Sequence, residues 1–124
     1  MSLRPLEVAK IAAQAAEEKK SKSICILDLR KISPIADYFV ICSVMTQIQA
    51  KAVADHVLDE LAENGVDVWH VEGYENARWI LLDYVDVVMH VFEEETRSYY
   101  GLDRLWGDAP QIELGPPAAR SRKK

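Results

Sequence analysis

The sequence predicts a single α/β domain built on a mixed, mostly five-stranded sheet with flanking helices. Three observations predict it. The chain has 124 residues, 49% of them hydrophobic and 28% charged, which is the length of one domain with enough apolar surface for its own core and no cofactor needed for stability. Apolar residues recur at helical spacing in two segments, whereas five short runs are continuous or alternate with a period of two. The order of these segments combines a strand–helix–strand crossover with a later hairpin, and so mixes parallel with antiparallel pairing.

Pro5 suits the first turn of a helix, and Val8, Ile11, Ala12 and Ala15 come after it at helical spacing up to the polar run Glu17-Glu18-Lys19-Lys20. Residues 24–29, ICILDL, form an almost continuous apolar run bounded by charges, expected as a buried central strand. Ser33-Pro34 is a helix-breaking turn signal, so residues 30–36 are expected as a surface loop. Residues 38–43, YFVICS, are the second strand, and Thr46 with Gln49 three residues on has the pattern of a reciprocal capping box. The helix it opens carries Ala50, Val53, Ala54, Val57, Leu58 and Leu61 as one stripe and ends at Asn64-Gly65. A right-handed parallel crossover should then return the chain as a strand over residues 66–73.

From there the period changes to two. Residues 79–84 and 87–92 are expected to pair as an antiparallel hairpin across Val85-Asp86, although valine suits a turn with positive φ poorly. Glu93, Glu94 and Glu95 stand where the positive end of a short helix would lie, with Arg97 further along and Gly101 ending it. The domain is drawn over residues 1–110, and residues 111–124, with Gly115-Pro116-Pro117, are expected to be a mobile basic tail.

Charge narrows the partners. Formal net charge is −5, and the last five residues contribute +4, which leaves −9 for residues 1–119. A body that acidic is repelled by phosphate, so direct nucleic-acid contact is disfavoured except through the tail, and basic proteins are the natural partners. Of the ten aromatic residues, only Tyr38 and Phe39 lie outside residues 69–106, and residues 72–108 hold nine carboxylates against three arginines. Rings supply buried area and acids supply steering, so this stretch reads as an interface for a basic protein, the alternative being a core with an acidic rim. With no apolar run of eighteen residues and no basic-then-apolar leader, a soluble cytoplasmic protein is expected. Cys25 and Cys42 sit in apolar strands as small hydrophobes, with a disulfide between them left open.

No catalytic constellation assembles. His70 with Glu72, and His90 with Glu93, have no metal-specific spacing, and the remaining histidine, His56, belongs to the polar side of a helix. Asp83 and Asp86 are three apart, whereas a nucleotidyl-transfer site places carboxylates on alternate strand residues. The strand-to-helix junction Ser43-Val44-Met45-Thr46 has no glycine to cradle phosphate, and Ser43 has no base. The chain is therefore expected to be neither an enzyme nor a metal or cofactor carrier.

Several strings are more specific than composition: Leu27-Asp28-Leu29-Arg30, the run SPIADYFVICS from Ser33, His70-Val71-Glu72-Gly73-Tyr74, Arg78-Trp79, Leu82-Asp83-Tyr84, Asp86-Val87-Val88, His90-Val91-Phe92 and Leu105-Trp106-Gly107-Asp108-Ala109-Pro110. In this order they resemble the ribosome silencing factor family (RsfS, or Iojap-like) over residues 6–110. The resemblance implies a fold related to nucleotidyltransferases without their catalytic motif. It further implies binding to protein fourteen of the large ribosomal subunit, on the face that meets the small subunit, and hence a steric block to subunit joining that represses translation when nutrients are short. Val44 and Val85 stand where the family usually has glycine.

On this reading the interface comprises Trp79, Asp83, Tyr84, His90, Glu93, Arg97, Tyr100, Leu105 and Trp106, with the acids and Arg97 making polar contacts and Tyr100, Leu105 and Trp106 serving as apolar anchors. For Trp79 and Tyr84 a place in the core is the competing expectation, and for His90 a structural role. Two other functions compete: an assembly adaptor that uses the same ribosomal contact without blocking joining, and a metal-dependent nucleotidyltransferase-like enzyme. A homodimer of the free protein is also expected, because an apolar face that awaits a partner pairs readily with itself.

Overall fold

Pro5 sets the first turn of α1 (Pro5–Glu18), where the Arg4 backbone N–H donates to Glu7 Oε1 at 2.9 Å. The computed structural model describes residues 3–100 and 109–112, with the backbone alone for Tyr99 and Tyr100. Ala9, Ala12, Ala13, Ala15 and Ala16 are all buried on α1 and let the helix approach both the sheet and α2 (Gln47–Glu63) closely. Thr46 Oγ1 accepts from Gln49 N at 3.0 Å, the expected cap. The reciprocal bond is displaced: Gln49 Oε1 takes the Met45 N–H, and its amide donates to the Lys19 and Lys20 carbonyls, closing the end of α1. His56 Nε2 and Glu18 Oε1, 2.7 Å apart, join the two helices further along.

The strands are β1 (Lys22–Asp28), β2 (Tyr38–Val44), β3 (His70–Glu72), β4 (Trp79–Asp83), β5 (Val87–Glu93) and β6 (Gln111–Ile112), and α3 (Glu94–Tyr100) comes directly after β5. They form one mixed sheet of order β3-β4-β5-β2-β1-β6, in which, among the described residues, only β2 and β5 are parallel neighbours. Every residue of β2, and β5 from Val87 through Phe92, is buried, as expected of strands covered on both faces.

Three expectations are corrected by this topology. The crossover from β2 does return in the same direction, but its strand is only His70–Glu72 and lies at the sheet edge, because the longer and mostly apolar β5 takes the place beside β2 and the polar HVE run does not. β1 is not central: its outer side meets β6, and its pairing with β2 shifts between Lys22 and Cys25, where Ser23 takes φ 51°. Gln111 and Ile112 pair with Leu27 and Ile26 rather than starting a tail, which makes the sheet six-stranded rather than five.

Strand parity divides the core. α1 and α2 cover one face, packing on Ile26, Val40, Cys42, Ile80, Leu82, Tyr84, Met89 and Val91. On the other face lie Leu27, Phe39, Ile41, Val88, Phe92 and Ala109, with Cys25, Trp79 and Leu81 at their margin. Cys25 and Cys42 thus face opposite sides of the sheet and are free thiols, which closes the disulfide question.

Candidate protein-binding face

Alternation along β4 places Trp79, Leu81 and Asp83 on the face opposite α1 and α2, and sends Ile80 and Leu82 into the helix-side core. Trp79 and Leu81 are half-buried. The register sets His90 opposite Leu81 on one side and Glu72 opposite it on the other, with His70 opposite Asp83. His70 Nε2 and Glu72 Oε2 approach to 2.9 Å on the exposed edge strand. Aromatic rings therefore occupy the middle of this face, and ionisable groups rim the β3 side.

The indole of Trp79 stacks on Phe92, with centroids 4.8 Å apart, and its Nε1–H donates to His90 Nδ1 at 3.1 Å. His90 is 4% exposed, and burial pushes its pKa down to about 4, so the ring is neutral near pH 7. Phe39 meets it edge-on at 4.5 Å.

Next to Trp79 a groove of about 550 Å³ is lined by Gly73, Asn76, Arg78, Trp79, Glu93, Glu95 and Thr96. Its near wall is a tightly held loop. Ala77 N donates to Gly73 O and Glu93 N to Arg78 O, both at 2.8 Å, while the Tyr74 hydroxyl donates to Asp55 on α2. Gly73 has φ 78°, and a Cβ there would run into the Trp79 carbonyl oxygen, so only glycine fits. Glu93 and Glu95 pair with no cation among the described residues. At the same end of the sheet, where Val44 pairs with Glu93, Met45 is 59% and Ile48 83% exposed.

The expected interface residues do not all meet. Trp79, Asp83 and the buried His90 lie on the face opposite α1 and α2, and Glu93 lines the groove beside it. Tyr84 lies on the opposite, helix-side face; its hydroxyl is buried without a hydrogen-bond partner among the described residues, and burial, with Asp67 adding, pushes its pKa up to about 12. Arg97 reaches inward: its Nη1 donates to Ser23 O and Ser43 Oγ, both at 2.8 Å, and Nη2 lies 3.9 Å from Cys25 Sγ. It pins α3 across the irregular start of β1. The Tyr100 side chain, Leu105 and Trp106 lie outside the described residues. Leu81, Arg78 and Glu95 join the face and groove unforeseen; the alternation that selects Trp79 and Asp83 also selects Leu81, whereas the groove needs the loop's closure to exist.

What this face offers a partner is ring surface, hydrogen-bonding groups and carboxylate charge. Thr46 is engaged as a helix cap, and burial drives the Cys42 thiol up to about 12, out of reach of nucleophilic use at neutral pH. Among the described residues no three histidine, cysteine or acidic side chains gather to hold a metal ion, and no helix is long and apolar enough to cross a membrane.

Comparison with known proteins gives the family and the fold. The family described as "Ribosomal silencing factor during starvation" (RsfS) matches residues 2–124. The ribosomal silencing factor RsfS of Bacillus subtilis is 47% identical over 107 residues, covering 86% of this chain and 91% of its own. A crystal structure from Chromobacterium violaceum superposes with a TM-score of 0.82 at 34% identity, covering 94% of this chain and 97% of its own. One from Bacillus halodurans gives 0.77 at 37% identity, covering 87% and 98%. Sequence match along nearly the whole chain and a shared fold lead to one conclusion: the chain belongs to the ribosomal silencing factor (RsfS) family.

Proposed function

We propose that this protein represses translation by seating the part-exposed β4 margin of the sheet face opposite α1 and α2 on protein fourteen of the large ribosomal subunit, which keeps the small subunit from joining. The observation that carries the reading is the pair Trp79 and Leu81, half-buried on a face free of α1 and α2, between the Glu72 and Asp83 side and the Glu93 and Glu95 groove. An apolar centre within a carboxylate rim suits a basic, partly apolar protein surface, and the formal charge of −9 over residues 1–119 steers such a partner in while holding off bare ribosomal RNA. The block is steric and requires no turnover. A homodimer of the free protein, formed through an apolar surface that lacks its partner, is proposed alongside.

Sedimentation in a sucrose gradient tests this. Added protein should migrate with large subunits and reduce the joined-ribosome peak, and Trp79→Ala should abolish both effects. Co-migration with undiminished joining would instead indicate an assembly adaptor, and absence of co-migration would reject the ribosomal reading.

A further inference from the structure

Indole nitrogen can only donate, so at 3.1 Å the Nδ1 of His90 must be the acceptor and the imidazole proton must sit on Nε2. That Nε2 is buried and finds no hydrogen-bond partner among the described residues. An unpaired buried N–H destabilises the folded state. The ring stands edge-on to Phe39 at 4.5 Å and parallel to Phe92 within 10° at 6.0 Å. This slot favours a flat ring, and a phenyl group would fill it without the orphaned proton. Among aromatic side chains only imidazole adds a nitrogen lone pair. The single return visible for that lone pair is the bond to Trp79.

We propose that His90 is a positioning residue: through Nδ1 it fixes the indole of Trp79 in the orientation that walls the Glu93 groove and meets the partner, while itself staying out of contact. Trp79 lies at the start of β4 on the border of the groove, where stacking on Phe92 fixes the plane of the indole and the bond to His90 adds a directional contact that sets where its N–H points. The inference rests on the reading of this face as the ribosomal contact. It departs from the sequence-based expectation that His90 touches the partner, since a ring 4% exposed has almost no surface to offer.

The test compares His90→Phe, His90→Asn and Trp79→Ala in binding to isolated large-subunit protein fourteen, together with thermal melting and the indole N–H resonance of Trp79. His90→Phe should melt no lower than the parent at pH 7, yet bind about ten-fold more weakly, and its indole N–H should shift and exchange faster with solvent. His90→Asn returns an acceptor oxygen near the Nδ1 position and should recover slower indole exchange and part of the affinity even if it melts lower. Parental affinity in His90→Phe, with binding lost in Trp79→Ala, overturns the positioning role and leaves the face intact as the contact. Parental affinity in both variants rejects the face itself. An unshifted indole N–H in His90→Phe overturns the tether without reference to any partner.

Discussion

The Oδ1 atom of Asp83 accepts the backbone N–H of Val85 at 2.8 Å and helps hold that valine at φ 76°, a conformation β-branched residues rarely adopt. Asp86 N donates to Tyr84 O and Tyr84 N to Val87 O, so the β4–β5 connection is a very tight turn. A left-handed backbone costs an L-residue about 1–2 kcal/mol, and glycine gives back part of that through its freer unfolded chain. Val85→Gly should therefore raise stability by about 1 kcal/mol in urea unfolding, and Asp83→Ala should lower it. A Val85→Gly variant less stable than the parent would show that the exposed valine side chain is worth more than its strain.

Gly73 is the opposite case. Its φ of 78° and the Trp79 carbonyl in the path of any Cβ leave alanine no place to go. Gly73→Ala should lose about 2–4 kcal/mol, in the range of backbone strain combined with a steric clash. The displaced loop should also disturb the Trp79 indole signal and weaken large-subunit binding.

His90 makes stability depend on acid. Its folded pKa, about 4, lies below the unfolded value near 6.5, so between these limits the unfolded chain binds more protons. The stabilisation is complete above about pH 6.5, falls as pH drops toward 4 and is then level, amounting to something on the order of 3 kcal/mol. Urea midpoints of parent and His90→Phe should diverge across this window, and parallel curves would contradict it.

Tyr84 and Trp79 differ by one strand parity, and their variants should differ accordingly. Tyr84→Phe deletes a hydroxyl that is buried without a partner among the described residues, so stability should hold or rise by up to about 1 kcal/mol. Capture of the large subunit should be unchanged, because this ring belongs to the helix-side core. Reduced capture by a stable Tyr84→Phe would move the contact to the other face.

Arg97→Ala removes two 2.8 Å donations that hold α3 to β1 and β2. A loss of about 1–3 kcal/mol is expected for charged hydrogen bonds of this kind. Faster amide exchange confined to α3 would mark the strut role, and uniform exchange would argue against it.

Most elements were legible because their signals are local. The α2 stripe from Ala50 to Leu61, the Thr46 cap and the alternation that sets Trp79 and Asp83 on one face all depend on nearby residues. What was not legible depends on distant ones. The burial of β5 on both faces outranks sequence order and expels β3 to the edge, and two residues of β6 carry too little pattern to announce a strand. Within the site, parity was readable, but placing Tyr84 required knowing which face the helices cover. Arg97 looked like a surface charge because its acceptors lie on β1 and β2, far away in the chain.

Because β5 rather than β3 adjoins β2, the parallel seam among the described strands joins segments nearly fifty residues apart and costs more loop closure than the local β4–β5 hairpin. β3 is three residues long and pairs with the sheet through β4 alone. The border carrying His70 and Glu72 is therefore expected to open before the centre of the sheet in native-state exchange, a local loosening that would let this edge adjust its shape without unfolding the rest.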